Sequence, residues 1–93
     1  MGVKKYSVVL SKKAEKFFDK LDAPVRKRIK TWIETNLEGC ENPRRRGKPL
    51  EGELEGLWRY RVGDYRIIAE IQDDKIIIFV INVDKRNDIY KWA

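Results

Sequence analysis

Arg59 and Arg61 stand two residues apart in the run LWRYRV. In an extended strand that spacing puts both guanidiniums on one face and leaves Trp58, Tyr60 and Val62 on the other. Arg66 follows a two-residue break at Gly63 and Asp64, and Lys85, Arg86 and Tyr90 follow the last apolar run. If the strands pair in chain order, Arg59, Arg61, Arg66, Arg86 and Tyr90 converge on one concave face. Cations held close repel one another, so such a cluster implies an anionic ligand, and a phosphate fits. The guanidinium fork grips phosphate oxygens and stabilises the extra charge of a pentacovalent phosphorane. Tyrosine adds a stacking ring and a phenol able to handle protons once cations lower its pKa. The plainer reading is a wet strand face whose arginines pair with Glu51, Glu53, Glu55 or Glu70. The basic run Arg44, Arg45, Arg46 and Lys48, together with Lys85, is either solvated charge or a grip on RNA backbone.

The elements that position these groups follow from periodicity. Val3 to Leu10 alternates, with Tyr6, Val8 and Leu10 on one side, and ends at Ser11, a good helix N-cap. Ala14, Phe17, Phe18 and Leu21 fall at helical spacing within Lys12 to Leu21, with Lys12, Lys13, Lys16 and Lys20 opposite. Asp22, Ala23 and Pro24 break that helix and cap a second one, whose stripe Val25, Ile29, Trp32, Ile33 and Leu37 runs to Gly39, so the two form a hairpin. Four of the six glycines and two of the three prolines lie between Glu38 and Gly56, which predicts an irregular basic loop there. Leu57 to Val62, Tyr65 to Ile71 and Lys75 to Val83 then predict a three-stranded antiparallel meander, and Asn87 to Trp92 a short C-terminal helical turn. The expected fold is a single α+β domain over residues 1–93.

A hydrophobic fraction of 42% is ample for a core, and 21 Lys and Arg against 15 Asp and Glu give +6, a balance suited to nucleic acid or an acidic protein. The lone Cys40 cannot form an intrachain disulfide, and the absence of histidine removes the usual zinc ligand sets, so neither metal nor other cofactor is expected. The opening MGVKKYSVVL lacks the long apolar stretch of a secretory signal, and a cytoplasmic setting without membrane insertion is expected.

The stretch GKPLEGELEGLWRYRVGDYRIIAEI from Gly47, followed by an apolar strand and VDKRNDIY, resembles the RelE/ParE toxins of prokaryotic toxin-antitoxin pairs. The likeness covers nearly the whole chain and includes the break at Leu21 to Pro24. Its RelE branch implies a metal-independent endoribonuclease that cuts mRNA in the ribosomal A site. Attack by the substrate's own 2′-hydroxyl leaves a 2′,3′-cyclic phosphate. The same resemblance implies that Arg59 and Arg61 grip the phosphate and Arg66 stabilises the transition state. Arg86 sits against the scissile phosphate or leaving oxygen, and Tyr90 takes the general-base position. It also implies a cognate antitoxin, a toxin–antitoxin heterotetramer, and the ribosome with its mRNA as partners. Three features depart from the family pattern: no histidine is present, the spacing from Arg86 to Tyr90 is shortened, and Asp84 stands where a small or polar residue is common. Two alternatives stay open on the same fold, a ParE-like inhibitor of DNA gyrase and an inactive homologue acting by binding alone.

Overall fold

The computed structural model describes residues 4–85. Within that span the order is β1 (Ser7–Leu10), α1 (Lys12–Lys20), α2 (Ala23–Asn36), β2 (Lys48–Pro49), a 3₁₀ turn (Gly52–Leu54), β3 (Leu57–Val62), β4 (Tyr65–Gln72) and β5 (Ile77–Lys85). One five-stranded sheet has the order β1-β5-β4-β3-β2. The expected meander β3-β4-β5 is antiparallel throughout, while β1 pairs with β5 in parallel, Ser7 opposite Ile77 and Leu10 opposite Val80.

Ser11 turns the chain from sheet to helix. Its backbone N–H continues the β1–β5 ladder to the Val80 carbonyl at 2.8 Å, and its Oγ accepts the Ala14 N–H at 3.1 Å as the N-cap. The same hydroxyl donates to the Ile81 carbonyl at 2.8 Å, so one side chain ties the helix start to β5. Asp22 precedes α2 in extended backbone, yet its side chain makes no capping hydrogen bond. Pro24 in the first turn sets that helix start instead.

Both helices lie on one face of the sheet. Ala14, Phe18, Ile29, Ile33 and Leu37 bury against Tyr60, Val62, Ile67, Ala69, Ile78, Val80 and Val83. Among the described residues no helix is long and apolar enough to cross a membrane.

Several boundaries differ from expectation: the first strand begins at Ser7, the last runs on to Lys85, and two further differences have local reasons. The segment read as an irregular loop contains β2, because Lys48 and Pro49 find partners in Arg59 and Trp58; a proline is tolerated on this outermost strand, where no further ladder needs its N–H. The last strand begins at Ile77 rather than Lys75, because the preceding turn extends through Ile76, held at φ 56. The left-handed region is costly for a β-branched side chain. The predicted C-terminal turn from Asn87, and Val3 at the start of the first strand, lie outside the described residues.

Candidate functional site

Across an antiparallel ladder, directly paired residues share a face. Arg61 pairs with Arg66, and Arg66 with Asp84; Arg59 pairs with Ile68, and Ile68 with Asn82. Lys48 on β2 pairs with Arg59 from the other side. The sheet face away from the helices therefore carries two rows, Arg61-Arg66-Asp84 and Lys48-Arg59-Ile68-Asn82, with neighbouring strands roughly 4.8 Å apart. Arg61 is exposed, Arg59 half-buried and Arg66 buried. Neither Arg59 nor Arg61 makes an ion pair with Glu51, Glu53, Glu55 or Glu70; Glu70 instead accepts a hydrogen bond from Gln72 Nε2 at 2.7 Å. A wet face neutralised by those glutamates is thus not what the strands build.

The rows depend on a bulge. Between Ile68 and Ala69 the register shifts, so that Ile68 faces Asn82 while Ala69 faces Val80, and Ile81 is the extra residue. Strict alternation along β5 would put Val80, Asn82 and Asp84 on one face. The extra residue lets Val80 and Val83 both enter the core and turns Asn82 and Asp84 onto the arginine face. It also turns Lys85 the other way, opposite Tyr65 on the helix side. Lys85, expected with the arginines, is therefore not on their face.

Arg44 also departs from expectation. Its guanidinium forms a two-pronged ion pair with Asp73, Nη2 to Oδ2 at 2.7 Å and Nη1 to Oδ1 at 3.1 Å, and lies 5.7 Å from the centre of the Trp58 ring. The Tyr6 hydroxyl donates to the same carboxylate at 2.6 Å. This network fastens the basic loop to the β4–β5 turn and the start of β1, and it occupies the side chain of Arg44. Arg45 and Arg46 remain exposed on the neighbouring turn. Arg86 and Tyr90 lie outside the described residues, so the arrangement described is the part built by Arg59, Arg61 and Arg66.

Hydrogen bonds from Arg44, then from Tyr6, hold the Asp73 carboxyl down at about 2, below its ordinary 3.8, and the same carboxylate raises the Tyr6 phenol. Burial raises both the Cys40 thiol and the Tyr60 phenol. A carboxyl depressed on folding stabilises the fold above its ordinary pKa, and that contribution is lost as pH falls through the folded value. Asp73→Asn is therefore expected to melt below the unmodified protein at neutral pH, with the gap closing between pH 4 and about 2. Thermal midpoints across that window check it; a gap unchanged at pH 2 would show that the carboxylate charge is not what matters.

Sequence reasoning missed Asn82 as a member of this face, since nothing in FVINVDK marks Ile81 as a bulge. It also treated the α1 lysines only as the outer face of a helix, whereas Lys13, Lys16 and Lys20 border a cavity shared with Asn82 and Asp84.

The chain is similar to known toxins. A family profile described as ParE toxin of type II toxin-antitoxin system, parDE, matches residues 8–90. "Toxin RelE" of Mycobacterium tuberculosis is 42% identical over 50 residues, 54% of this chain; the matched stretch spans 52%, about half, of that relative. "mRNA interferase toxin RelE" of Escherichia coli is 30% identical over 91 residues, covering 95% of this chain and 93% of the relative. In the solved structure of the toxin-antitoxin complex RelBE2 from Mycobacterium tuberculosis, one chain superposes with a TM-score of 0.80 at 29% identity, covering 88% of this chain and 99% of that one. With a profile match running from β1 past the end of β5 and a relative aligned over nearly all of both chains, this chain belongs to the ParE toxin family of type II toxin-antitoxin systems.

Proposed function

We propose that this protein is the toxin of a cytoplasmic toxin-antitoxin pair and acts as a ribosome-dependent endoribonuclease on mRNA. The observation that carries the reading is the shared sheet face of Arg59, Arg61 and Arg66, free of the glutamates expected to neutralise the first two. An RNA phosphodiester laid on that face lies over three permanent cations, Arg59 and Arg61 at the surface and Arg66 buried beneath. Attack by the adjacent 2′-hydroxyl gathers negative charge on the phosphoryl oxygens, and closely placed guanidiniums stabilise that charge more than the ground state. The products are a 2′,3′-cyclic phosphate and a 5′-hydroxyl. Arginine stays protonated near neutral pH, so Arg59 and Arg61 act electrostatically and proton transfer falls to another group. Tyr90 takes the general-base role and Arg86 the scissile-phosphate contact in this proposal. Arg45, Arg46 and Lys48 add backbone grip, and a cognate antitoxin covering the basic face, in a toxin–antitoxin heterotetramer, silences the enzyme.

One observation favours a second reading: the matching profile is described by the ParE name. In that case the protein binds DNA gyrase and cuts nothing. Primer extension on a translated transcript after induction separates the two. Codon-phased cuts are expected; intact mRNA with a DNA-damage response would instead establish the gyrase reading.

A further inference from the structure

Beyond the last β1–β5 pair, Leu10 with Val80, the edge of β5 is open among the described residues. There Asn82 and Asp84 of the arginine rows border a cavity with residues of α1. It is about 380 Å³ in volume and lined by Lys13, Lys16, Phe17, Lys20, Asn82 and Asp84. Asn82 is only 2% exposed, and its Nδ2 is buried with no hydrogen-bond acceptor. A buried amide donor left without a partner is costly, so its place in the wall of a cation-rimmed cavity points to an acceptor supplied by a ligand.

The mixture of groups narrows the ligand. Lys16 and Lys20 supply positive charge, Asn82 Nδ2 a donor, and Asp84 an acceptor. A carboxylate side chain from an acidic protein gains nothing from Asp84 and is repelled by it. A ribonucleotide unit presents an anionic phosphate and, one bond further along the sugar, a hydroxyl that donates. Asn82 lies in the row that begins with Lys48 and Arg59, two strand spacings from Arg59, so a strand of RNA crossing the arginine face reaches this cavity without leaving the sheet.

We infer that the cavity between α1 and β5 is a second ribonucleotide subsite, in which Asn82 Nδ2, Lys16 and Lys20 take a phosphate and Asp84 accepts the 2′-hydroxyl of the same strand. This rests on RNA being the substrate. It adds a specificity-determining site to the arginine face and assigns Asp84 a role that favours RNA over DNA.

The test is fluorescence anisotropy of the purified full chain with labelled hexauridylate and its thymidine deoxy counterpart. The RNA is expected to bind several-fold more tightly than the DNA. Asn82→Leu, and the double change Lys16→Gln with Lys20→Gln, are each expected to weaken RNA binding about tenfold. Asp84→Asn is expected to abolish the preference for RNA while leaving DNA binding at least as tight. Because the amide removed in Asn82→Leu had no partner, its melting temperature should not fall, which separates lost binding from lost fold. Variants that bind hexauridylate as the unmodified protein does, and still cut a translated transcript, overturn the subsite and leave the nuclease reading standing. No binding and no cleavage by the unmodified protein removes both. Decaglutamate bound through the lysines, with Asn82→Leu indifferent, overturns the subsite in favour of an acidic protein.

Discussion

Arg66→Ala is expected to lower RNA cleavage on the ribosome about 10²–10³-fold, the range seen when one preorganised charge stabiliser is removed, and to abolish growth inhibition with it. Arg66 is the buried member of its row, 4% exposed, with Arg61 on one side and Asp84 on the other. Burial lowers the local dielectric, so its charge acts on a nearby phosphate with less screening than that of exposed Arg61. Arg66→Lys keeps the charge and loses the fork, and should fall between the two. Circular dichroism and a melting curve establish that the alanine variant is folded; a folded variant as toxic as the parent would remove Arg66 from the chemistry.

Gly47→Ala is expected to destabilise the fold by about 1–3 kcal/mol, the usual range for overpacking. The added Cβ would lie 2.8 Å from Tyr60 Cε1 and 3.1 Å from the Arg59 carbonyl oxygen. Neither neighbour can give way. The Tyr60 ring is fully buried, 6.0 Å from the Trp32 ring, with its hydroxyl donating to the Pro43 carbonyl, and the Arg59 oxygen belongs to β3 itself. This glycine is required for space rather than for backbone conformation. For a chain of this size each kcal/mol lowers the melting point about 4–8 °C, easily read in a thermal scan. Combining Gly47→Ala with Tyr60→Leu tests the cause: if the clash with the ring is responsible, the double variant loses less than the two single losses added together. Strict additivity would place the damage elsewhere.

The sequence shows the helices, the three antiparallel strands and the facing pair Arg59 and Arg61, because each is written in local periodicity. Ser11 as cap and Trp58, Tyr60 and Val62 as the apolar side of β3 follow from the same rule. What periodicity cannot carry is non-local. The parallel partnership of β1 with β5 joins residues some seventy positions apart. The extra residue at Ile81 has no marker in a run where every neighbour is apolar or small, yet it decides which way Asn82, Asp84 and Lys85 face. Arg44 looks like one more cation in a basic loop until Asp73, 29 residues later, is brought beside it.

The pairing of β1 with β5 has a consequence for when the arginine face can exist at all. Contacts so distant in sequence are slow to form, because the loop between them must close before they contribute. During synthesis β1 emerges before the other described strands and waits, since its partner β5 is the last of them to leave the ribosome. Until then β5 is missing from the middle of the sheet, β4 has an open edge, and the row through Arg66 ends without Asp84. A nascent chain therefore carries the arginines without the surface that aligns them until β5 has emerged.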